Sequence, residues 1–250
     1  MNNPKVILVL GAGRSSSSLI AHLLTQASTE NWEIHVGDLD VKAAKDKVES
    51  HAHGHAFEMS SDEKGDRDRR IAEADLVVSM LPAFMHVEVA RVAIAAGVHV
   101  LTPSYVSPEM KALDAEARAA GVLVLNEMGL DPGLDHMSAM QIIDDIRAEG
   151  GRMTGFASYC GGLVAPASDD NPWHYKLSWN PRNVVLAGQG GSATFLDQGR
   201  IRVVPPHRTF QALTPRGRPQ LENQLPLFLE VQTCVMGTVF HDTHHPNGRG

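Results

Sequence analysis

The six residues Lys5 to Leu10 (KVILVL) run directly into Gly-Ala-Gly-Arg followed by four serines, and this junction restricts the fold more than any other feature of the chain. An apolar strand that ends on a glycine turn and then opens a helix is the start of a βαβ unit. The alternation continues to about Asn126. WEIHVGD (32 to 38) reads as a second strand and DVKAAKDKVES as a helix with a charged face. A weaker strand falls around His55 to Glu58, and DLVVSML (75 to 81) runs into Pro82, which stops it. Val87, Val89, Ala90 and Ile94 recur at near-helical spacing before Gly97, a helix C-cap signal. HVLTP (99 to 103), a helix from Pro108 to Ala120 and VLVLN (122 to 126) complete the series. The expected fold class is α/β, a Rossmann-type doubly wound parallel sheet over residues 1–127. An incomplete second α/β domain follows it.

In the turn, Gly11, Gly13 and Ser16 give GxGxxS, with a small residue where a third glycine usually stands. Gly11 permits the tight turn, Gly13 lets a diphosphate approach the backbone, and Ser16 keeps the helix close to the sheet. The anion would sit on the helix N-terminus, among the amides and side chains of Arg14 and Ser15, with the serines at 15 to 18 as further donors or caps. Such a triplet alone is also compatible with a plain glycine turn. Asp38 adds weight, because it lies 22 residues beyond Ser16 at the end of the second strand, where a carboxylate accepts hydrogen bonds from ribose hydroxyls. It would also repel a 2′-phosphate, so the residues point to a nicotinamide dinucleotide, NAD or NADP, with NAD favoured. The alternative is that Asp38 or Asp40 caps the next helix.

After Asn126 the pattern changes. GLDPGLDH is a glycine and proline turn that leads into a helix whose Met137, Met140, Ile143 and Ile146 would face a core. Residues 128–204 read as a partial substrate-binding and dimerisation domain, with strand alternation in MTGFASYCGGL and a polar, aromatic loop after it. Residues 205–250 are rich in proline, show no sustained period and are expected to be an atypical, poorly structured tail. His241, His244 and His245 in that tail could bind a metal, but an exposed polar end is the better reading, so no metal site is expected. The net charge of -7 is dispersed, with no basic stripe for phosphate backbones, which argues against nucleic acid. Cys160 and Cys234 lie far apart, so a reducing compartment, the cytoplasm, is expected. No leader and no run near the ~18 apolar residues of a membrane span is visible.

Leu81-Pro82, TPSYVSP (102 to 108), NEMGLDPGLDHM (126 to 137), SYCGGLVAP (158 to 166) and DNPWHYKLSWNPRNVVLAG (170 to 188) together resemble the glutamate-forming saccharopine dehydrogenases. The resemblance covers about residues 5 to 204. It implies a nicotinamide-dependent oxidoreductase that interconverts saccharopine with glutamate plus aminoadipate semialdehyde. Homospermidine synthase shares the imine-reducing logic and is the neighbouring possibility. The resemblance further implies that Leu81, Pro82 and Thr102 border the cofactor, that Ser104, Tyr105, Asp131 and Arg182 contact an amino-acid substrate, and that Cys160 belongs to the site. Oxidising a secondary amine needs a proton acceptor within ~3 Å of the nitrogen. Asp131 and Tyr105 are the first candidates, then His136 and Cys160. Asp131 before Pro132 is also a common turn residue, His136 could be a core histidine and Cys160 an apolar filler. The Pro-Asn-Arg-Asp segment of the family, whose arginine grips a substrate carboxylate, is missing, and the last stretch does not look like the family. A dinucleotide-binding protein without a full catalytic site is therefore a second reading. An unpaired edge at MTGFASYC predicts a homodimer.

Overall fold

The computed structural model describes residues 3–59, 64–153, 156, 164–171, 176, 192–197 and 200–205. The chain divides into two units, Met1–Leu134 and Asp135–Gly250. In the first, β1 (Lys5–Leu10), β2 (Trp32–Asp38), β3 (Gly54–Glu58), β4 (Leu76–Ser79), β5 (His99–Leu101) and β6 (Val124–Leu125) form one six-stranded sheet in the order β3-β2-β1-β4-β5-β6. Every neighbouring pair is parallel.

β1 explains why its sequence is apolar at every position from Ile7 to Leu10. Ile7 and Val9 pack on one side of the sheet with Ile20 and Leu24 of α1 (Ser17–Glu30) and Ala44 and Val48 of α2 (Val41–Val48). Leu8 and Leu10 pack on the other with Ile71 of α3 (Lys64–Ala72) and Val89 and Ala93 of α4 (His86–Ala96). A central parallel strand is buried on both faces, so alternation is replaced by a continuous run. Residues expected to form one helix from Pro108 to Ala120 form two, α5 (Pro108–Lys111) and α6 (Asp114–Ala120), with Leu113 buried at the junction.

α3 was not legible in the sequence. Its nine residues KGDRDRRIA carry no apolar stripe, and Ile71 alone is an apolar anchor. Ion pairs hold the rest: buried Arg67 reaches Asp68 at 2.7 Å and Glu88 of α4 at 3.3 Å, and the Arg70 guanidinium lies 3.9 Å from the centre of the Phe57 ring. Periodicity of hydrophobic residues cannot report a helix fixed in this way.

In the second unit the described elements are α7 (Leu134–Ala148), which starts on the last residue of the first, a short 3-10 turn at Pro166–Ser168, and an antiparallel pair, β7 (Ala193–Asp197) and β8 (Arg200–Val204). Met137 and Met140, expected to face a core, are exposed, and Ile143 and Ile146 are only half-buried, because the described residues supply no layer over that side of α7. The expected tail lies outside the described residues apart from Pro205. No described helix is long and apolar enough to cross a membrane.

Candidate functional site

The carboxyl ends of β1 and β4 meet where the chain order of the sheet reverses, the place where a doubly wound sheet opens a crevice. Gly11 follows β1 with φ +106°, and a Cβ there would stand 2.9 Å from the carbonyl oxygen of Met80. Its N–H donates to the Gly37 carbonyl at 2.7 Å. Gly11 is thus required by the fold itself. Gly13 is different: its φ of −67° and ψ of −178° suit any residue, and an added Cβ would meet no atom within 4 Å. Nothing in the protein demands a glycine there. The open cradle at its Cα fits a group that must approach the backbone, as a diphosphate does. Ser16, 1% exposed, turns its hydroxyl back to donate to the Gly13 carbonyl at 2.8 Å, so it closes the loop from below. Arg14 and Ser15 are exposed on the lip, and among the described residues the Arg14 guanidinium has no ion-pair partner.

Asp38 ends β2 as expected, but its carboxylate faces the glycine loop. Oδ2 accepts the Ala12 N–H at 2.6 Å and Oδ1 accepts the Asp40 N–H at 2.9 Å. Asp40, not Asp38, caps the next helix, accepting from the Lys42 N–H. Asp38 is therefore a clamp on the turn as well as a candidate ribose partner, a role that sequence spacing does not reveal. Leu81 is half-buried and Pro82 exposed just past β4. Thr102, expected to border the cofactor, is 1% exposed with its hydroxyl turned inward, so it lies beneath the cleft surface instead of lining it.

Beside these residues, two loops are stitched together. The Glu127 N–H donates to the Ser104 carbonyl at 3.0 Å, the Met128 N–H donates to the Thr102 carbonyl at 3.1 Å, and the Glu127 carboxylate accepts the Val106 N–H at 3.2 Å. This ties the Ser104-Tyr105 loop to Glu127 and Met128, which lead directly into the turn that carries Asp131. That turn is tight: the Asp131–Pro132 bond is cis, the Gly129 N–H donates to the Pro132 carbonyl and the Leu134 N–H to the Gly129 carbonyl. Two oxygens near it, Asn126 Oδ1 and Asp131 Oδ1, are buried without a hydrogen-bond partner. Buried acceptors are normally satisfied, so this pair marks the turn as unusual, and a donor could reach either oxygen only if the surrounding side chains shift. Tyr105 is half exposed. His136 lies in the second unit, exposed, and its Nδ1 stands 2.7 Å from Asp135. Cys160 and Arg182 lie outside the described residues.

The sequence reading missed a histidine. His86, 3% exposed at the start of α4, places Nδ1 2.9 Å from Ser79 Oγ and Nε2 2.8 Å from Ser104 Oγ and 3.1 Å from Thr102 Oγ1. Burial pushes its imidazole down to about 4, so the ring is neutral near pH 7. The only signal was a polar residue on the inner side of a helix that read simply as amphipathic.

Comparison with known proteins places these features. Residues 7–125 match the family model described as the saccharopine dehydrogenase NADP binding domain, and residues 129–247 match the saccharopine dehydrogenase C-terminal domain. The second match runs through the stretch after residue 204 that the sequence reading had set apart from the family. The saccharopine dehydrogenase [NADP(+), L-glutamate-forming] of Pyricularia oryzae is 38% identical over 197 residues, 79% of this chain and 43% of that protein. The mitochondrial alpha-aminoadipic semialdehyde synthase of Bos taurus is 38% identical over 205 residues, 80% of this chain and 21% of that protein. The apo saccharopine dehydrogenase (L-Glu forming) of Saccharomyces cerevisiae superposes with a TM-score of 0.71 at 32% identity, covering 86% of this chain and 47% of the other. The chain thus spans less than half the length of these relatives.

Proposed function

Because this chain belongs to the saccharopine dehydrogenase family, we propose that it binds NADP(H) at the Gly11–Ser16 loop and acts with it on the secondary amine of saccharopine. The products would be glutamate and aminoadipate semialdehyde. One observation carries the substrate half of this reading: Asp131 Oδ1 is a carboxylate oxygen without a hydrogen-bond partner, in a turn that follows directly on the Glu127-Met128 segment bonded to the Ser104 loop. An amine substrate would supply the donor that this oxygen lacks once the carboxyl group turns toward it. The bound nucleotide would supply a hydride acceptor or donor. The chain's own residues then do the rest. Asp131 takes the proton from the substrate nitrogen, which must be neutral before the adjacent carbon can lose hydride, and Ser104 and Tyr105 orient the substrate. Leu81 and Pro82 give the cleft an apolar wall that excludes water.

NADP(H) replaces NAD(H) as the favoured cofactor for two reasons. The matched family model and the Pyricularia oryzae relative are named for NADP, and both Asp38 carboxylate oxygens already accept backbone N–H groups, which leaves them less free to accept from the ribose hydroxyls of NAD(H). Arg14, exposed beside Gly13, supplies a cation that a 2′-phosphate can meet. Asp38→Ala is expected to weaken NADH and NADPH together by about tenfold, since a buried Ala12 N–H loses its acceptor and the loop loosens. Arg14→Ala is expected to weaken NADPH alone. Fluorescence titration of both nucleotides separates these outcomes; an Asp38→Ala chain that gains NADPH affinity would restore the repulsion argument.

The activity is tested by following absorbance of the reduced nucleotide when saccharopine is added to the full chain with NADP(+). Turnover that falls by about a hundredfold or more in Asp131→Asn is the expected result. A chain that binds NADPH tightly but never turns over saccharopine is a dinucleotide-binding protein, and the substrate assignment fails.

A further inference from the structure

Glu127 has no part in the chemistry proposed above, yet the chain holds it at φ +63°, in the left-handed region that favours glycine. Three other described residues besides glycine have a positive φ: Asn31, Glu49 and Ser50. Asn31 and Glu49 close α1 and α2 as C-terminal caps, and Ser50 directly follows Glu49. Glu127 closes no helix. It stands just past β6, beside the Ser104-Tyr105 loop.

The ladder between β5 and β6 explains this conformation. The Val100 N–H donates to the Leu123 carbonyl and the Thr102 N–H to the Leu125 carbonyl, each rung advancing both strands by two residues. Continued regularly, the ladder would next set the Glu127 N–H on the Thr102 carbonyl. The Met128 N–H takes that carbonyl instead, so Glu127 is one extra residue, a bulge at the end of the sheet. The bulge frees the Glu127 N–H to donate to the Ser104 carbonyl at 3.0 Å, and the Glu127 carboxylate accepts the Val106 N–H at 3.2 Å. Those two groups belong to the two peptide units that meet at the Tyr105 Cα, the Ser104 carbonyl to the one before it and the Val106 N–H to the one after. Because each unit is planar, fixing both planes fixes φ and ψ of Tyr105, and with them the direction of its Cα–Cβ bond.

We infer that Glu127 is a positioning residue that aims Tyr105 at the substrate by holding the peptide planes on both sides of it. The inference rests on the saccharopine reading above and deepens it, because that reading makes Tyr105 a substrate contact. Bulges and left-handed non-glycine residues concentrate where a neighbouring side chain must be directed. Glycine would adopt φ +63° more readily, but it would leave the Val106 N–H without this acceptor. The bond needs an acceptor, not a charge, so the amide oxygen of glutamine serves in its place.

Three variants of the full chain separate acceptor, charge and backbone. Glu127→Gln keeps the acceptor and removes the charge, Glu127→Ala removes both, and Glu127→Gly removes both while relieving the backbone, so its folding is not at stake. Nitrogen-15 relaxation without substrate reads the amides of Tyr105 and Val106: order parameters of about 0.85 are expected in wild type and Glu127→Gln, falling to about 0.6 in the other two. In the second arm, saccharopine is titrated by calorimetry into the NADPH-saturated chains. Glu127→Ala and Glu127→Gly are expected to weaken it by about fivefold and Glu127→Gln by less than about twofold, with NADPH affinity unchanged in all. A Glu127→Gly chain with a rigid loop and wild-type affinity would mean that the side chain holds nothing, and overturns the inference. A Glu127→Gln chain as impaired as Glu127→Ala would transfer the effect to the charge and overturn it as well. If the wild-type chain binds NADPH and the relaxation results come out as expected but saccharopine does not bind, the substrate reading fails and takes the aim at the substrate with it, while the hold on the Tyr105 backbone stands.

Discussion

Gly13→Val will leave the fold unchanged and abolish useful NADPH binding. The backbone at Gly13 is extended, with φ −67° and ψ −178°, so valine adopts it without strain, and its Cβ enters a space that no protein atom occupies within 4 Å. Stability should stay within about 0.5 kcal/mol of wild type, and the stiffer residue favours the folded state slightly through the unfolded chain. The branched side chain instead occupies the cradle into which a diphosphate must come to reach the backbone amides. Losing two charge-assisted hydrogen bonds of about 1.5 kcal/mol each corresponds to roughly a hundredfold in affinity. Thermal melting followed by circular dichroism and titration of NADPH fluorescence make the comparison. A variant that melts with wild type and still binds NADPH with wild-type affinity would remove the role assigned to this loop. Gly11→Ala is the contrasting case, because there the added carbon meets the Met80 carbonyl and the φ is positive, so folding itself suffers.

Gly133→Ala will be among the most destabilising single-methyl additions in the first unit. Gly133 has φ +147°, and a Cβ there would overlap the Gly129 carbonyl oxygen and lie 2.7 Å from the Gly129 nitrogen. Both are backbone atoms held by the Leu134 N–H to Gly129 and Gly129 N–H to Pro132 bonds, so neither can give way unless the turn opens. The expected cost is about 3 kcal/mol or more, combining a disfavoured backbone conformation with overlap. On the proposed function, opening the turn also displaces Asp131, so saccharopine turnover would vanish while NADPH binding persists. Gly65→Ala in α3 is the control: no atom lies within 4 Å of the added carbon, and a helical position gains up to about 1 kcal/mol. If the two variants melt alike, the tight packing of Gly133 on Gly129 is not a feature of the molecule in solution.

The first unit was legible because its strands are buried on both faces and its turns need glycine. KVILVL, WEIHVGD and LVVS could be placed from apolar runs alone, and the crossover at Gly11 fixed their hand and order. α3 was hidden since ion pairs, not an apolar stripe, hold it. The clamp made by Asp38 was hidden for a related reason: spacing identifies a carboxylate at the end of β2 but not the direction in which it points. His86 sits in a helix whose apolar pattern is sound, and only the packing of α4 against the ends of β4 and β5 turns its ring onto Ser79 and Ser104. The bonding of the Ser104-Tyr105 loop to Glu127 and Met128, just before the Asp131 turn, was not legible in the sequence, because its hydrogen bonds connect residues more than twenty positions apart, mostly through backbone groups. Only the Glu127 carboxylate among those partners is a side chain, and its spacing does not reveal the bond.

Backbone amide resonances of the labelled chain, followed while NADPH is added, test the account most directly. The prediction is a saturable change confined mainly to Gly11, Gly13, Arg14, Ser15, Ser16 and the residues around Asp38, larger for NADPH than for NADH at equal concentration. A folded chain in which those amides stay unmoved at about millimolar nucleotide, or in which the changes fall elsewhere on the sheet, would contradict it.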